Sequence, residues 1–381
     1  MNRKIYTEKG KIMEIGIITI HYGINYGSAL QCFALSKYLD TTYPDSSISV
    51  INYIPERYRP KNRYLGSYKD KNILKKIMYL VFSAPNRFRY QVLFDRFLKK
   101  NVPLGKKVFN YTEVEKKYSE YDLLITGSDQ VWNTDYNGGV DPLYYLSFGG
   151  TDTVRISYAA SCGKDWFDEN ELEKCISLWK QFDGLSIRED VTTEALRKNG
   201  FDKTTQVLDP IFLLSENEWK KILPECEIPE PYIFIYALEG DDERAVDIAV
   251  KIAKERHLKV VMISYGHIWS RNTRVDYYLR LRSPFQFLSL LANAEYVVTN
   301  SFHGVAFSLR FRKQFVAIKR NKYNNRLDSI LRLTNLENRL VENTEKIFFD
   351  DIKYSDQVDV IIKKMEKKSK DYIDTWVKYQ K

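Results

Sequence analysis

Short apolar runs recur along this chain, and each stops abruptly at glycine or small polar residues that open a helix-competent stretch. Residues 14–20 (Glu-Ile-Gly-Ile-Ile-Thr-Ile) lead into His21-Tyr22-Gly23-Ile24-Asn25-Tyr26-Gly27-Ser28 and a helical pattern over 29–39. Residues 121–126 run into Gly127-Ser128-Asp129-Gln130-Val131-Trp132-Asn133, and residues 295–299 into Asn300-Ser301-Phe302-His303-Gly304, with a helical pattern over 305–312. Aliphatic runs without polar alternation are strands buried on both faces, which belong to parallel sheets covered by helices. Strand-like segments at 47–53, 154–161, 184–187, 232–237, 258–264 and 314–318, spaced by helical ones at 87–99, 169–181, 245–255 and 284–294, continue the alternation. The pattern predicts an α/β protein.

A chain of 381 residues exceeds one ordinary core and suits two domains. The prolines and acids of 224–231 read as the connection between them, giving a first domain at 13–223 and a second at 231–345. The basic, aromatic segment 57–107 reads as a helical insertion in the first domain, with helical patterns at 73–82 and 87–99. It packs on its own domain or offers a membrane-surface patch. The remainder, 346–381, is a lysine-rich amphipathic tail that either packs back on the domains or lies on acidic lipid. Polar residues ahead of Met13 read as a disordered leader.

Lysine and arginine exceed aspartate and glutamate by 59 to 50, which favours anionic partners such as phosphorylated metabolites or an acidic membrane face. No arginine-rich arm, zinc-finger spacing or aromatic RNA-binding signature accompanies the excess, so nucleic acid is not expected. Four dispersed cysteines, Cys32, Cys162, Cys175 and Cys226, form no disulfide framework and no metal-ligand pair. A reduced, cytoplasmic setting without structural metal follows. The run at 15–20 is too short for a signal-peptide core or a membrane span. The 28 tyrosines suit sugar-facing clefts, but most are expected to be packing.

Candidate chemistry collects just past the strand ends, where parallel sheets place ligands. His303 stands where a strand, a tight loop and a helix meet, so free backbone N–H groups, the positive end of the helix dipole and an imidazole converge on one place suited to an anion. A loop histidine that only caps the turn is the plainer alternative. Asp129 follows a strand directly, either as a ligand contact or as a helix cap. Arg188, in Gly184-Leu185-Ser186-Ile187-Arg188-Glu189-Asp190, could hold a carboxylate or phosphate with its planar fork, or pair with Glu189 or Asp190. The glycines near Asn25 match neither a dinucleotide fingerprint nor a Walker loop.

Taken together, Gly127-Ser128-Asp129-Gln130-Val131-Trp132, Ser157-Tyr158-Ala159-Ala160-Ser161, Ser186-Ile187-Arg188-Glu189, Leu208-Asp209-Pro210 and Thr299-Asn300-Ser301-Phe302-His303-Gly304 resemble the ordered motifs of the polysaccharide pyruvyl transferase family. The resemblance runs from the first strand to the helix near Leu333. It implies two Rossmann-like domains facing a cleft (GT-B-like), and transfer of the enolpyruvyl group of phosphoenolpyruvate onto a lipid-linked or nucleotide-linked saccharide. The product would be a pyruvate ketal in a capsule, exopolysaccharide or cell-wall polymer. Phosphoenolpyruvate is then a co-substrate, with no cofactor and no metal. The implied setting is cytoplasmic, with peripheral contact at the acidic inner membrane face.

Carried onto this chain, the resemblance implies that His303 is the general acid and that Asp129 accepts the attacking hydroxyl's proton. Arg188, Asn300, Ser301 and Gly304 would meet the donor. Asn25, Tyr26, Gly27, Ser28, Ser128 and Gln130 would meet the acceptor. One position departs from the family: Ser301 stands where characterised members often carry an arginine, two residues before the histidine. A nucleotide-sugar glycosyltransferase and a non-enzymatic scaffold of polysaccharide assembly are the alternative readings, since two-domain folds of this kind serve several functions.

Overall fold

A computed structural model describes residues 12–59, 84–164, 166–238, 243–264, 272–320, 322–342 and 350–379. The leader expected before Met13 and the helical pattern at 73–82 lie outside the described residues. Two compact units divide the chain: Met1–Lys69, Leu98–Leu213 and Lys364–Lys381 form one, and Asp70–Phe97 with Leu214–Lys363 form the other.

The first part of the chain runs β1 (Glu14–Ile18), α1 (Tyr26–Thr42), β2 (Ser47–Val50), α2 (Ala84–Asn101), α3 (Tyr111–Tyr118), β3 (Leu123–Thr126), α4 (Thr134–Asn137), β4 (Val154–Ser157), α5 (Glu169–Trp179), β5 (Ser186–Ile187), α6 (Asp190–Lys198) and β6 (Thr205–Gln206). The strands pair in parallel in the order β2-β1-β3-β4. The β5-β6 pair joins them through bridges from Ile156 to Gly184 and from Ala160 to Ile187. Between β1 and β3 the winding direction reverses, and that reversal opens a crevice at the carboxyl ends of the strands. Beneath it, Trp132 stacks on Tyr145 and meets Trp179 edge-on in an aromatic core. Many tyrosines serve this packing, Tyr118, Tyr144, Tyr145 and Tyr158 among them.

The second unit runs α7 (Glu216–Lys220), β7 (Tyr232–Tyr236), α8 (Glu243–Arg256), β8 (Lys259–Ile263), β9 (Tyr277–Leu279), α9 (Pro284–Asn293), β10 (Tyr296–Thr299), α10 (Phe302–Arg310), β11 (Gln314–Ile318), α11 (Asn325–Thr334) and β12 (Leu340–Val341), before α12 (Asp359–Tyr379). Its parallel order, β12-β11-β10-β7-β8-β9, is the doubly wound Rossmann order with β7 as its first strand. The switch point falls between β7 and β10. Ala245, Ile248, Ala249 and Ile252 of α8 cover Ile233, Ile235 and Met262 of the sheet.

The unit boundaries differ from those read off the sequence. Trp219 of α7 is fully buried and meets Phe307 edge-on at 5.5 Å, so the second unit begins at Leu214, ahead of the proline-rich connection. Through Phe97, α2 also packs with the second unit. There the Tyr90 hydroxyl donates to the Ser264 carbonyl at 2.7 Å and accepts the Leu281 N–H at 2.8 Å, while Phe97 meets Phe285 edge-on. The tail from Lys364 belongs to the first unit, with Ser369, Ile373 and Val377 of α12 buried and Lys364, Lys367 and Lys368 exposed. No helix among the described residues is long and apolar enough to cross a membrane.

Candidate functional site

In the first unit the crevice between β1 and β3 holds a network of buried side chains. Asn25 is the N-cap of α1, its side chain accepting the Ser28 N–H at 3.1 Å. Tyr26, Gly27 and Ser28 are therefore the first helical turn and not a loop, because the cap supplies what their weak helix propensity does not. This places the Ser28 hydroxyl against Asp129, to whose Oδ2 it donates. Asp129 has a left-handed backbone (φ 72°), an arrangement that Asp tolerates better than most residues and that gathers at functional sites. Its Oδ1 accepts the Gln130 N–H at 2.9 Å.

Next to it, Ser128 Oγ donates to Asp209 Oδ2 at 3.0 Å, and Arg188 Nη1 donates to the same oxygen at 2.6 Å. Arg188 Nε also reaches Glu189 Oε1 at 3.4 Å. All three charged groups are buried. Burial lowers the Arg188 pKa, but Asp209, Glu189 and Asp129 outweigh that effect and hold the guanidinium's pKa above its ordinary value. Arg188 thus enters any chemistry as a fixed cation whose orientation two carboxylates determine.

Of the expected first-unit residues, Ser28, Ser128, Asp129 and Arg188 come together. Gln130 is half-buried and accepts from Asn133 Nδ2. Tyr26 is fully buried in the core and Asn25 is occupied as a cap. Sequence reasoning missed Asp209, which lies just beyond β6 and ahead of Pro210, and it missed Thr19 and Gln31. Thr19 Oγ1 donates to the Ser128 carbonyl at 2.7 Å, and Gln31 Nε2 donates to Thr19 Oγ1 and to the Ser28 carbonyl. Asp209 was visible as a carboxylate at a strand end ahead of proline; an isolated Thr or Gln carries no comparable signal.

In the second unit the switch point is built differently. Asn300 joins its two sides: Oδ1 accepts the Leu238 N–H at 2.7 Å and Nδ2 donates to the Leu238 carbonyl at 3.3 Å. Thr299 Oγ1 donates to the Tyr236 carbonyl at 2.6 Å and accepts the Ser301 N–H. Ser301 is the N-cap of α10, so Phe302, His303 and Gly304 are its first turn, and His303 lies inside the helix rather than ahead of it. Its imidazole is 4% exposed and sits edge-on to Phe302. Gly304 is required sterically, because a Cβ there would overlap Thr299 Oγ1 and lie 2.8 Å from Thr299 Cβ. Only glycine lets the helix start this close to the strand.

Several basic residues between these elements form surface ion pairs: Arg274 with Asp247 and Glu243, Arg282 with Glu227, Arg312 with Asp359, Lys319 with Glu342. Among the described residues no three His, Cys, Asp or Glu side chains converge as metal ligands would.

Comparison with solved structures finds the same kind of fold. UDP-GlcNAc 2-epimerase from Methanocaldococcus jannaschii superposes with a TM-score of 0.50 at 13% identity, over 88% of this chain and 90% of that one. A putative UDP-N-acetylglucosamine 2-epimerase from Listeria monocytogenes gives 0.49 at 13% identity, over 92% and 86%. At such identities the likeness is one of fold alone, the GT-B type built from two Rossmann-like domains. No curated protein matches the sequence significantly. The sequence model described as "Polysaccharide pyruvyl transferase" matches residues 25–322, a span that includes Ser28, Asp129, Arg188, Asp209 and His303, and the chain belongs to that family of transferases.

Proposed function

We propose that this transferase moves the enolpyruvyl group of phosphoenolpyruvate onto a saccharide, forming a pyruvate ketal and releasing phosphate. The observation that carries the reading is the position of His303, in the first turn of α10 at the switch point of a doubly wound sheet. An anionic donor is favoured at that helix end. Addition to the enol requires a proton at the methylene carbon, and a protonated His303 supplies it. A saccharide hydroxyl then attacks the adjacent carbon and passes its proton to Asp129. A second hydroxyl of the same saccharide then displaces phosphate to close the ketal, its proton returning to the His303 imidazole that gave one up in the first step.

In this reading Arg188, oriented by Asp209 and Glu189, meets the donor's carboxylate or phosphate. In place of the arginine that Ser301 replaces, the Ser301 hydroxyl and the Gly304 N–H meet the donor beside Asn300, whose amide clasps Leu238. Ser28, Ser128 and Gln130, on the α1 and β3 side, meet the acceptor. The acceptor is lipid-linked or nucleotide-linked, and the outward lysines of α12 suit contact with an acidic membrane face in the cytoplasm.

The test is to incubate the purified protein with phosphoenolpyruvate and lipid-linked or nucleotide-linked saccharides. Phosphate release together with the mass gain of a ketal is expected. Thermal stabilisation by a nucleotide sugar and none by phosphoenolpyruvate would instead indicate glycosyl transfer. Undiminished polymer synthesis in cells carrying His303→Ala and Arg188→Ala would indicate a scaffold.

A further inference from the structure

The Arg188–Asp209 pair is fixed in part by a helix that enters this unit more than a hundred residues later in sequence. At Leu208, one residue before Asp209, the backbone has left β6 and has no strand to pair with. Its N–H donates to Ser369 Oγ of α12 at 2.9 Å, and its carbonyl accepts the Tyr158 hydroxyl at 3.1 Å. Ser369 is 1% exposed and its own hydroxyl donates to the Met365 carbonyl at 2.7 Å, so its lone pair faces Leu208. A second contact reaches the strand that carries Arg188. Gly184, which leads into β5, faces Trp376 of α12 so closely that a Cβ on it would fall inside the indole. The same helix is anchored independently on α1, where Tyr43 donates to Asp374.

From these contacts we infer that Ser369 is a positioning residue: through Leu208 it fixes where the Asp209 carboxylate stands, and Asp209 in turn fixes the Arg188 guanidinium. The chain of contacts is short and directional. A buried N–H that loses its acceptor must find another or go unsatisfied, and the nearest adjustable backbone is that of Leu208-Asp209. The Leu208 N–H and the Leu208–Asp209 peptide meet at the Leu208 Cα, and that peptide's carbonyl is itself held by Tyr158, so a shift at the Leu208 N–H is felt at the carboxylate that both Ser128 and Arg188 use. The consequence for turnover rests on the donor-binding role proposed for Arg188; the geometric consequence does not.

The experiment compares Ser369→Ala, Ser369→Thr and Asp374→Asn in the full-length protein. Asp374→Asn loosens the same helix without touching Leu208. Three quantities are measured: the solvent-exchange rate of the Arg188 Nη–H protons, which face Asp209, by NMR on arginine-labelled protein, and KM and kcat with phosphoenolpyruvate. Ser369→Ala is expected to speed exchange and raise KM about tenfold, the scale of one unsatisfied buried donor, with little change in kcat. Ser369→Thr, which keeps the acceptor oxygen, restores both values, and Asp374→Asn changes neither. Wild-type exchange in Ser369→Ala, or equal effects from Asp374→Asn, would overturn the inference. If exchange responds as stated while the wild-type protein never turns over phosphoenolpyruvate, the positioning role stands and the functional reading fails.

Discussion

The two units place candidate residues at equivalent points of two parallel sheets but hold them in different ways. At the β1/β3 crevice the structure is held by charge: one arginine, three carboxylates and two serine hydroxyls, all buried, are joined by hydrogen bonds and ion pairs. At the β7/β10 switch point it is held by shape and backbone pairing: Asn300 clasps Leu238, Thr299 reaches Tyr236, and Gly304 admits the helix against the strand. A charge-held end fixes the direction of a proton or an ion pair. A shape-held end instead fixes where the first turn of a helix, His303 included, stands against its strand. The same topology therefore builds two kinds of strand end, and each should fail in its own way when disturbed.

The largest effect is expected at the shape-held end. His303→Gln removes the proposed proton donor and should lower kcat by about 10²- to 10⁴-fold, measured as phosphate release from phosphoenolpyruvate at saturating acceptor. A variant within a factor of two of wild type would move the general acid elsewhere and dissolve the functional side of the comparison.

Arg188→Met probes the charge-held end. It leaves Asp209 and Glu189 buried without their cation, and the expected loss is about 3–5 kcal/mol of unfolding free energy in urea. Arg188→Lys should recover only part of it, because one ammonium cannot replace a planar fork that reaches Asp209, Ser128 and Glu189 at once. If methionine were tolerated, the network would be decoration on a core that stands without it.

What could be read in advance follows the same division. Strand runs at 14–20, 121–126, 232–237 and 295–299 announced the sheets because burial on both faces leaves an unbroken aliphatic signature. The short edge strands β9 and β12, with few residues and mixed exposure, left none. His303, Asp129 and Arg188 were legible as polar residues at strand ends. Their partners were not, since the pairing of Arg188 with Asp209 and of Ser28 with Asp129 joins segments 21 and 101 residues apart, and no periodicity encodes a contact of that kind. Helix starts at Tyr26 and Phe302 were placed late for a local reason. Asn25 caps α1 through its side chain, and Ser301 holds the N-cap position of α10 without a side-chain bond, so residues with poor helix propensity became first turns.

Gly304→Ala tests the steric claim at the switch point of the second unit. The added methyl meets Thr299, and overpacking of this kind costs about 1–3 kcal/mol. Combining it with Thr299→Ala should cost less than the two changes added together, because the second removes the atoms that the first strikes. Strict additivity in denaturant titrations would show that the helix start moves freely, and that shape holds nothing there.

The smallest effect sharpens the other side. Asp141 lies beyond β3, accepts the Tyr53 hydroxyl at 2.9 Å and caps the Leu143 N–H. Burial raises its pKa, partly offset by those two hydrogen bonds. A carboxyl whose pKa is higher folded than unfolded retains its proton longer in the native state. Its contribution to stability is therefore full below the unfolded value, about 3.9, and is lost as pH rises through the folded one. Unfolding free energy should thus fall over that interval in the wild type and fall less in Asp141→Asn, whose single amide oxygen keeps the Leu143 N–H bond, whose NH2 can donate to the Tyr53 hydroxyl instead of accepting from it, and which has no charge to bury. The Gly304 variant should keep the wild-type slope while lying lower throughout. Parallel curves for wild type and Asp141→Asn would mean that this carboxyl is solvated when folded, and that the charge-held end stops short of the loops after β2 and β3.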